Sequence, residues 1–558
     1  MSGLPPTPRR ALRGYAPLAA LLVMVGAFTT LAPTTGNEVL ASSGPAAATP
    51  GGSGVTVPGA VAAVDANGQP TAADPGVTTG ATGTGTPGAP GSPTAGDTTA
   101  APLAGTGPCA DRALQVPGYE YSPPCIAFSG DNGGATATGV TGDTITVTWR
   151  LPADNGTAGA VQSAAGNGID ITDSREDLVR TIEGITEYIN ANFQLYGRHI
   201  EMHVFDGRGV GADEVQGAGQ DGANADAVTV SDEIGAFLDA SAGTAPYTDA
   251  LARRGVVSIG VNYLSEEWYA ERDPYVWTGV SCTQTVEMLA EYANRRLFGG
   301  TADHAGDGVR GQPRKIAVIA PENSYYQDCV RTLEARLAEE GNSLAESLSY
   351  ALDINTISQD SSAIIARLSA DQITTVLLVT DPVSPLFFTA KATQQRYNPE
   401  WILTGTAATD TDVVAQQYDQ DQWAHCFGLR TFFAGASREQ SDAYAAFKAA
   451  RPDQEPAGLA LYGIYQRLLQ MAIGIEMAGP NLTPATFGAG MQAYSGGTGF
   501  FGTMRGRPGL HTLQTDADEV YYDPNAISPF NGAPGAYVST TPHYELGQWP
   551  REAPRVPN

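Results

Sequence analysis

The sequence predicts an α/β protein built on parallel sheets, two of them, preceded by a disordered linker. Three observations point there. From about residue 139 onward, short apolar strands alternate regularly with amphipathic helices, the pattern of parallel strands joined by helical crossovers. That alternation continues without a break over a length that favours two sheets over one. Residues 33–108 are almost entirely Gly, Ala, Pro, Ser, Thr and Val, and such a segment buries too little apolar surface to offset its ordering entropy.

The chain of 558 residues opens with Arg9, Arg10 and Arg13 before a continuous apolar run from Ala16 to Ala32, where Thr30-Leu31-Ala32 has the small-residue character of a cleavage site. This is the layout of a secretory signal. A retained membrane anchor is the rival reading, because the run is close to the roughly 17-residue minimum for a span. Both readings put the rest of the chain outside the cytoplasm. The linker at 33–108 then acts as a tether with a reach of about 50 Å.

Five cysteines fit an oxidising compartment. Cys109 and Cys125 bracket a Pro-rich stretch, 109–138 being a short Cys-bracketed segment, and are expected to pair locally. Of Cys282, Cys329 and Cys426, one is left over, with Cys282–Cys329 as the preferred second bridge. His425 beside Cys426 makes no catalytic dyad, since neighbours on a strand point to opposite faces.

In the folded region, "GVTGDTITVTWRLP" (139–152) reads as the first strand. Asp173 or Ser174 can cap a helix whose apolar residues Leu178, Val179, Ile182, Ile185, Ile189 and Phe193 recur at three and four. "HIEMHVFD" (199–206) alternates as a strand, and a helix is expected over 212–228. An apolar segment at 234–238 then enters the turn "SAGT", followed by a helical stretch and a buried strand at 256–261. The pattern continues as helix 284–298, strand 315–320, helices 327–340 and 360–370, strand 375–380, helix 385–396 and strand 401–405.

Composition and motifs exclude several functions. With 59 acidic against 31 basic residues and a net charge of -28, the chain is unsuited to nucleic acid or an anionic membrane surface. The sequence holds no Gly-x-Ser-x-Gly elbow, Walker loop or dinucleotide fingerprint. His199 and His203 flank Glu201 on a strand, unlike the helical zincin motif, so no metal site is expected. No catalytic residue and no cofactor is assigned.

The ordered set of segments resembles the leucine/isoleucine/valine-binding family of extracytoplasmic solute-binding proteins, the type I periplasmic-binding fold. "GVTGDTITV" resembles its opening strand, and "YINANFQLYGRHIEMHVFDG" its first helix-strand unit. "APYTDALARRGVVSIGV" resembles the segment after its first ligand loop. "LYGIYQRLLQMAIGIEMAG" and "GFFGTMRGRPG…EVYYDP" resemble its long closing helix and last lobe crossing. The resemblance implies two lobes joined by three hinge crossovers, lobe one at 139–279 plus 430–499 and lobe two at 280–429 plus 500–549, with a tail at 550–558.

A ligand would then sit beyond the carboxyl ends of the strands, where open parallel sheets form crevices. Gly243, Thr244 and Ala245 turn into a helix N-terminus suited to an anionic group, the place where the family takes an amino acid's carboxylate. The resemblance adds Asn262 and Tyr263 from lobe one and Tyr326 (or adjacent Tyr325), Asp381 and Thr406 from lobe two. Thr406 stands where amino-acid binders carry a carboxylate for the ligand ammonium, which weakens the amino-acid reading unless Asp381 substitutes. Trp268 and Tyr269 are further candidates for stacking on the ligand. The implied function is capture, without catalysis, of a small polar ligand (an amino acid, amide or small carboxylate) for an ABC permease. The alternative is a membrane-tethered sensing receptor using the same clamshell.

Overall fold

The computed structural model describes residues 109, 112–154, 161, 165, 172–406, 408–431 and 437–551. The signal or anchor expected at 1–32 and the linker at 33–108 lie outside the described residues. No helix among the described residues is long and apolar enough to cross a membrane.

Five parallel strands form the first sheet: β1 (Thr144–Leu151), β2 (His199–Asp206), β3 (Leu238–Ala242), β4 (Val257–Gly260) and β5 (Val276–Trp277), in the order β2-β1-β3-β4-β5. The second sheet contains β6 (Ile316–Pro321), β7 (Glu346–Tyr350), β8 (Thr375–Leu378), β9 (Glu400–Leu403) and β10 (Cys426–Arg430), all parallel to one another. A small antiparallel pair, β11 (Gly497–Gly499) and β12 (Gly502–Met504), stands apart. The second sheet is completed antiparallel by β13 (Asp516–Ile527) and β14 (Pro534–Ser539), giving the order β14-β13-β10-β9-β8-β6-β7. Each lobe is thus an α/β layer, and the second lobe departs from a purely parallel sheet at the edge supplied by the C-terminal segment.

Local chemistry explains most helix limits. Ser174 caps the helix Arg175–Asn192 by accepting from the Asp177 N–H. The neighbouring Asp173 instead accepts from the N–H groups of Gly458, Leu459 and Ala460, so it caps the start of the long helix Ala460–Ala478 across the lobe. Ser281 and Gln284 form a capping box that starts the next helix at Cys282, two residues before the expected point. The expected helix 212–228 is broken into Gly211–Val215 and Gln220–Val228, because Gly217 and Gly219 take left-handed backbone (φ 82° and 69°) that ends one helical run and begins another. The apolar segment 234–238 is not itself a strand. A π-helical turn closes at Ile234, and the strand runs Leu238–Ala242 through the small residues. β7, "ESLSY", has no counterpart in the sequence reading: it alternates polar side chains at a sheet edge and lacks an apolar run.

Helix Ala460–Ala478 packs on the first lobe, burying Leu461, Ile464, Leu468, Met471 and Ile475 against Ile182, Ile185 and Val147. The chain crosses between lobes after β5, after β10 and before β13. Gln514 ties all three crossings: its N–H donates to the Gly279 carbonyl at 2.7 Å, its Nε2 to the Thr431 carbonyl at 2.5 Å, and its own carbonyl accepts from Gln284 Nε2 at 2.8 Å. Both expected disulfides are present, Cys109–Cys125 and Cys282–Cys329, with Cys426 free and buried.

Candidate functional site

The carboxyl ends of β3 and β4 present the turn Gly243–Ala245 and the segment Asn262–Tyr263, as the crevice argument requires. Two donors of the turn are already engaged within the protein. Thr244 Oγ1 donates to Glu214 Oε2 at 2.5 Å. The Ala245 N–H donates to Tyr263 Oη at 3.0 Å. Pro246, next along the helix Ala245–Ala252, has no N–H to offer. A carboxylate seated on this helix start would have to displace protein partners.

Beneath the turn lies a buried charge cluster. Arg150, at the end of β1, holds Glu214 through two bonds of 2.8 Å and Asp226 at 3.2 Å, and its guanidinium lies 3.7 Å over the Tyr247 ring. Asp226 also accepts from the Arg208 and Gly209 N–H groups. Asp239 accepts from Thr148, Tyr247 and twice from Ser241, and burial pushes its carboxyl above the usual range despite those bonds. Every carboxylate oxygen in this cluster therefore accepts from the protein.

Tyr263 connects the lobes. Its ring stacks on Tyr326 of lobe two (centroids 5.9 Å apart, planes at 13°) and tilts against Tyr325 at 5.9 Å. Burial pushes the Tyr263 phenol well above its ordinary range, so it stays protonated. Its hydroxyl accepts from Ala245, and its proton has no acceptor among the described residues. The Tyr325 hydroxyl is buried without a partner among them. The structure thus brings Thr244, Ala245, Tyr263, Tyr325 and Tyr326 together, with Gly243 and the partly exposed Asn262 beside them.

The remaining expected residues do other work. Asp381 caps the helix Ser384–Gln395, accepting from the Val383 and Ser384 N–H groups, the Ser384 hydroxyl and Tyr350 Oη; no oxygen is left over for a ligand ammonium. Thr406, buried, has its hydroxyl 2.9 Å from that of Thr404 and 3.4 Å from the Thr380 carbonyl. Tyr269 is in the core, donating to the Val261 carbonyl, and Trp268 lies under the Arg272 guanidinium at 3.6 Å. His203 sits 3.4 Å from Glu201 on the outer edge strand. No group of three or more potential metal ligands occurs among the described residues.

One residue at the crevice escaped the sequence reading. Arg467, on the helix Ala460–Ala478, lays its guanidinium against the ends of β3 and β4. A Cβ on Gly243 would meet its Nη2 at 3.4 Å, and one on Gly260 would meet its Cζ at 3.0 Å. Gly260 itself has φ +145°, backbone that side-chain-bearing residues rarely adopt. Among the described residues the guanidinium makes one hydrogen bond, to the Ser241 carbonyl at 3.3 Å, and it approaches the Trp149 ring at 5.9 Å. Desolvation by the surrounding strands lowers its pKa, partly offset by Asp239, while the side chain keeps some solvent contact. The signal was present in the sequence: Arg467 and Glu476 are the only charges on an otherwise apolar and neutral helix. A separate cavity of about 310 Å³ between His304, Arg310, His425 and Tyr521 shares no residue with this crevice.

Comparison with known proteins gives a consistent frame. A family model described as periplasmic binding protein matches residues 157–522. Among solved structures, the solute-binding protein of an ABC transporter from R. palustris, in complex with 4-hydroxybenzoate, is 14% identical with a TM-score of 0.51, covering 73% of this chain and 99% of its own. A fatty acid ABC transporter substrate-binding protein from Thermomonospora curvata is 14% identical (TM-score 0.50; 75% and 97% covered). An ABC transporter substrate-binding protein from Sphaerobacter thermophilus is 13% identical (TM-score 0.51; 74% and 100% covered). At these identities the structural likeness speaks for the fold alone. No curated protein matches the sequence.

Proposed function

The chain belongs to the periplasmic binding protein family, and on that premise we propose that it is the solute-binding component of an ABC importer, catching a small ligand between its lobes and performing no chemistry. The observation that carries this is the meeting of Tyr263 from the first lobe with Tyr326 from the second, beyond the strand ends of both sheets. Such crevices between hinged lobes are where clamshell proteins close on solutes. Gly243, Thr244, Ala245, Asn262, Tyr263, Tyr326 and Thr406 are the proposed walls, with Asp381 supporting them as a helix cap. The permease is the proposed partner, reached outside the cytoplasm.

A thermal-unfolding screen of the full chain against amino acids, amides, short peptides, urea and small carboxylates tests the reading. A solute present at about a hundred times its Kd adds roughly 2.7 kcal/mol, and small-angle scattering on the same sample should show the lobes closing. Solutes that stabilise without any change in scattering would remove the clamshell from the account.

A further inference from the structure

Resting on the receptor reading above, we infer that the ligand is an organic carboxylate without an ammonium group, and that Arg467 is the residue that holds its charge. The carboxylates beneath the turn and at the head of helix Ser384–Gln395 offer a ligand no acceptor. Glu214, Asp226, Asp239 and Asp381 each have both oxygens engaged by protein donors. A ligand ammonium would find no free carboxylate among these four, and an unpaired buried ammonium costs several kcal/mol.

The donors are disposed in the opposite way. Arg467 is partly exposed, and its one hydrogen bond among the described residues uses Nη1, leaving Nη2 and Nε without a protein partner among them. The free edge faces the strand ends because Gly243 and Gly260 carry no side chain there. The hydroxyl protons of Tyr263 and Tyr325 are likewise without acceptors among the described residues. A planar guanidinium with adjacent free N–H groups matches a carboxylate in two parallel bonds. The usual helix-start donors, Thr244 and Ala245, are already bonded to Glu214 and Tyr263, so the anchoring passes to the arginine. Trp149, with its ring centroid 5.9 Å from the guanidinium carbon, suits an apolar or aromatic body on the anion.

The test uses matched probes on the full chain by calorimetry: leucine, 4-methylpentanoate and 4-methylpentanamide, with benzoate and benzamide as the aromatic pair. The expected result is binding of one or both carboxylates and a loss of at least about tenfold for the matching amide and for leucine, from a charge-assisted bidentate bond. Arg467→Met should lose the carboxylate by a similar factor. Gly243→Ala, whose new methyl would reach Nη2 in ordinary contact, should weaken it while the unliganded melting temperature stays within a degree or two of the parent. Neutral probes or leucine binding as well as the carboxylate, with Arg467→Met and Gly243→Ala unaffected, would overturn the inference and leave the receptor reading standing. Silence from every probe, together with silence in the wider solute screen, would take down both.

Discussion

Tyr263 Oη accepts the Ala245 N–H at 3.0 Å, so a residue expected to touch ligand is also the cap of the helix expected to hold it. The same ring stacks on Tyr326 across the lobes. Tyr263→Phe keeps the ring and deletes the acceptor. The expected loss is about 1–2 kcal/mol in urea unfolding of the unliganded chain, the cost of a buried donor without a partner. An unchanged midpoint would mean that water reaches the Ala245 N–H.

Arg150 is the sole cation bonded to Glu214 and Asp226 among the described residues. Arg150→Met should cost about 3–5 kcal/mol, because it strands buried carboxylates without their counter-charge. Denaturant unfolding measures it. Adding Glu214→Gln should recover part of the loss, and absence of any recovery would show that packing of the guanidinium on Tyr247 dominates instead.

Asp173 reaches the start of helix Ala460–Ala478 from more than 280 residues away in the chain, accepting three N–H groups. Asp173→Ala should destabilise by about 1–2 kcal/mol, the upper end for a helix cap. Hydrogen exchange should localise the loosening to residues 458–464, and a global change without that local signature would assign Asp173 another role.

Glu476 is buried near the end of that helix, with one oxygen accepting from the Gln194 N–H and the other unpartnered among the described residues. Burial raises its pKa from 4.5 to about 8. Between those values the folded chain keeps a proton that the unfolded chain has released, so this group's contribution is full at low pH and is lost as pH rises through the folded value. From pH 5 to 8 the loss should be on the order of 3 kcal/mol relative to Glu476→Gln. Parallel stability profiles for the two proteins would falsify it.

The Cys282–Cys329 bridge, with a sequence separation of 47, joins the start of helix Cys282–Tyr292 to helix Ser324–Glu339. Replacing both by alanine should cost about 4 kcal/mol on the chain-entropy account. The Cys109–Cys125 bridge, with a separation of 16, should cost about 3 kcal/mol by the same account. Melting of the two double variants under non-reducing conditions compares them, and a larger loss for the shorter loop would reject the entropic ordering.

Much of the fold was legible because each element announces itself locally. The three-and-four spacing of Leu178, Ile182, Ile185 and Ile189 is enough to expect a helix with that face inward, and the structure buries Ile182, Ile185 and Ile189 completely. The alternation in "HIEMHVFD" marks β2 to the residue. β7 was missed because an edge strand carries polar side chains, and the break at Gly217–Gly219 because single glycines are tolerated inside helical patterns as often as they end them.

The sequence by itself determined most element types and their order and the expected disulfide pairs, and the family resemblance carried by that order implied two lobes with a crevice at the strand ends. Only the tertiary structure decided which crevice donors remain free. Hydrogen-bond saturation is a property of partners, and the partners here are remote: Glu214 takes the Thr244 hydroxyl from 30 residues away, and Arg467 reaches the Ser241 carbonyl from 226. Periodicity specifies which face of a helix is buried, but not which distant group meets a polar side chain there. That is why Asp381 read as a ligand contact and folded as a cap, while Arg467 read as part of a helix and folded into the crevice.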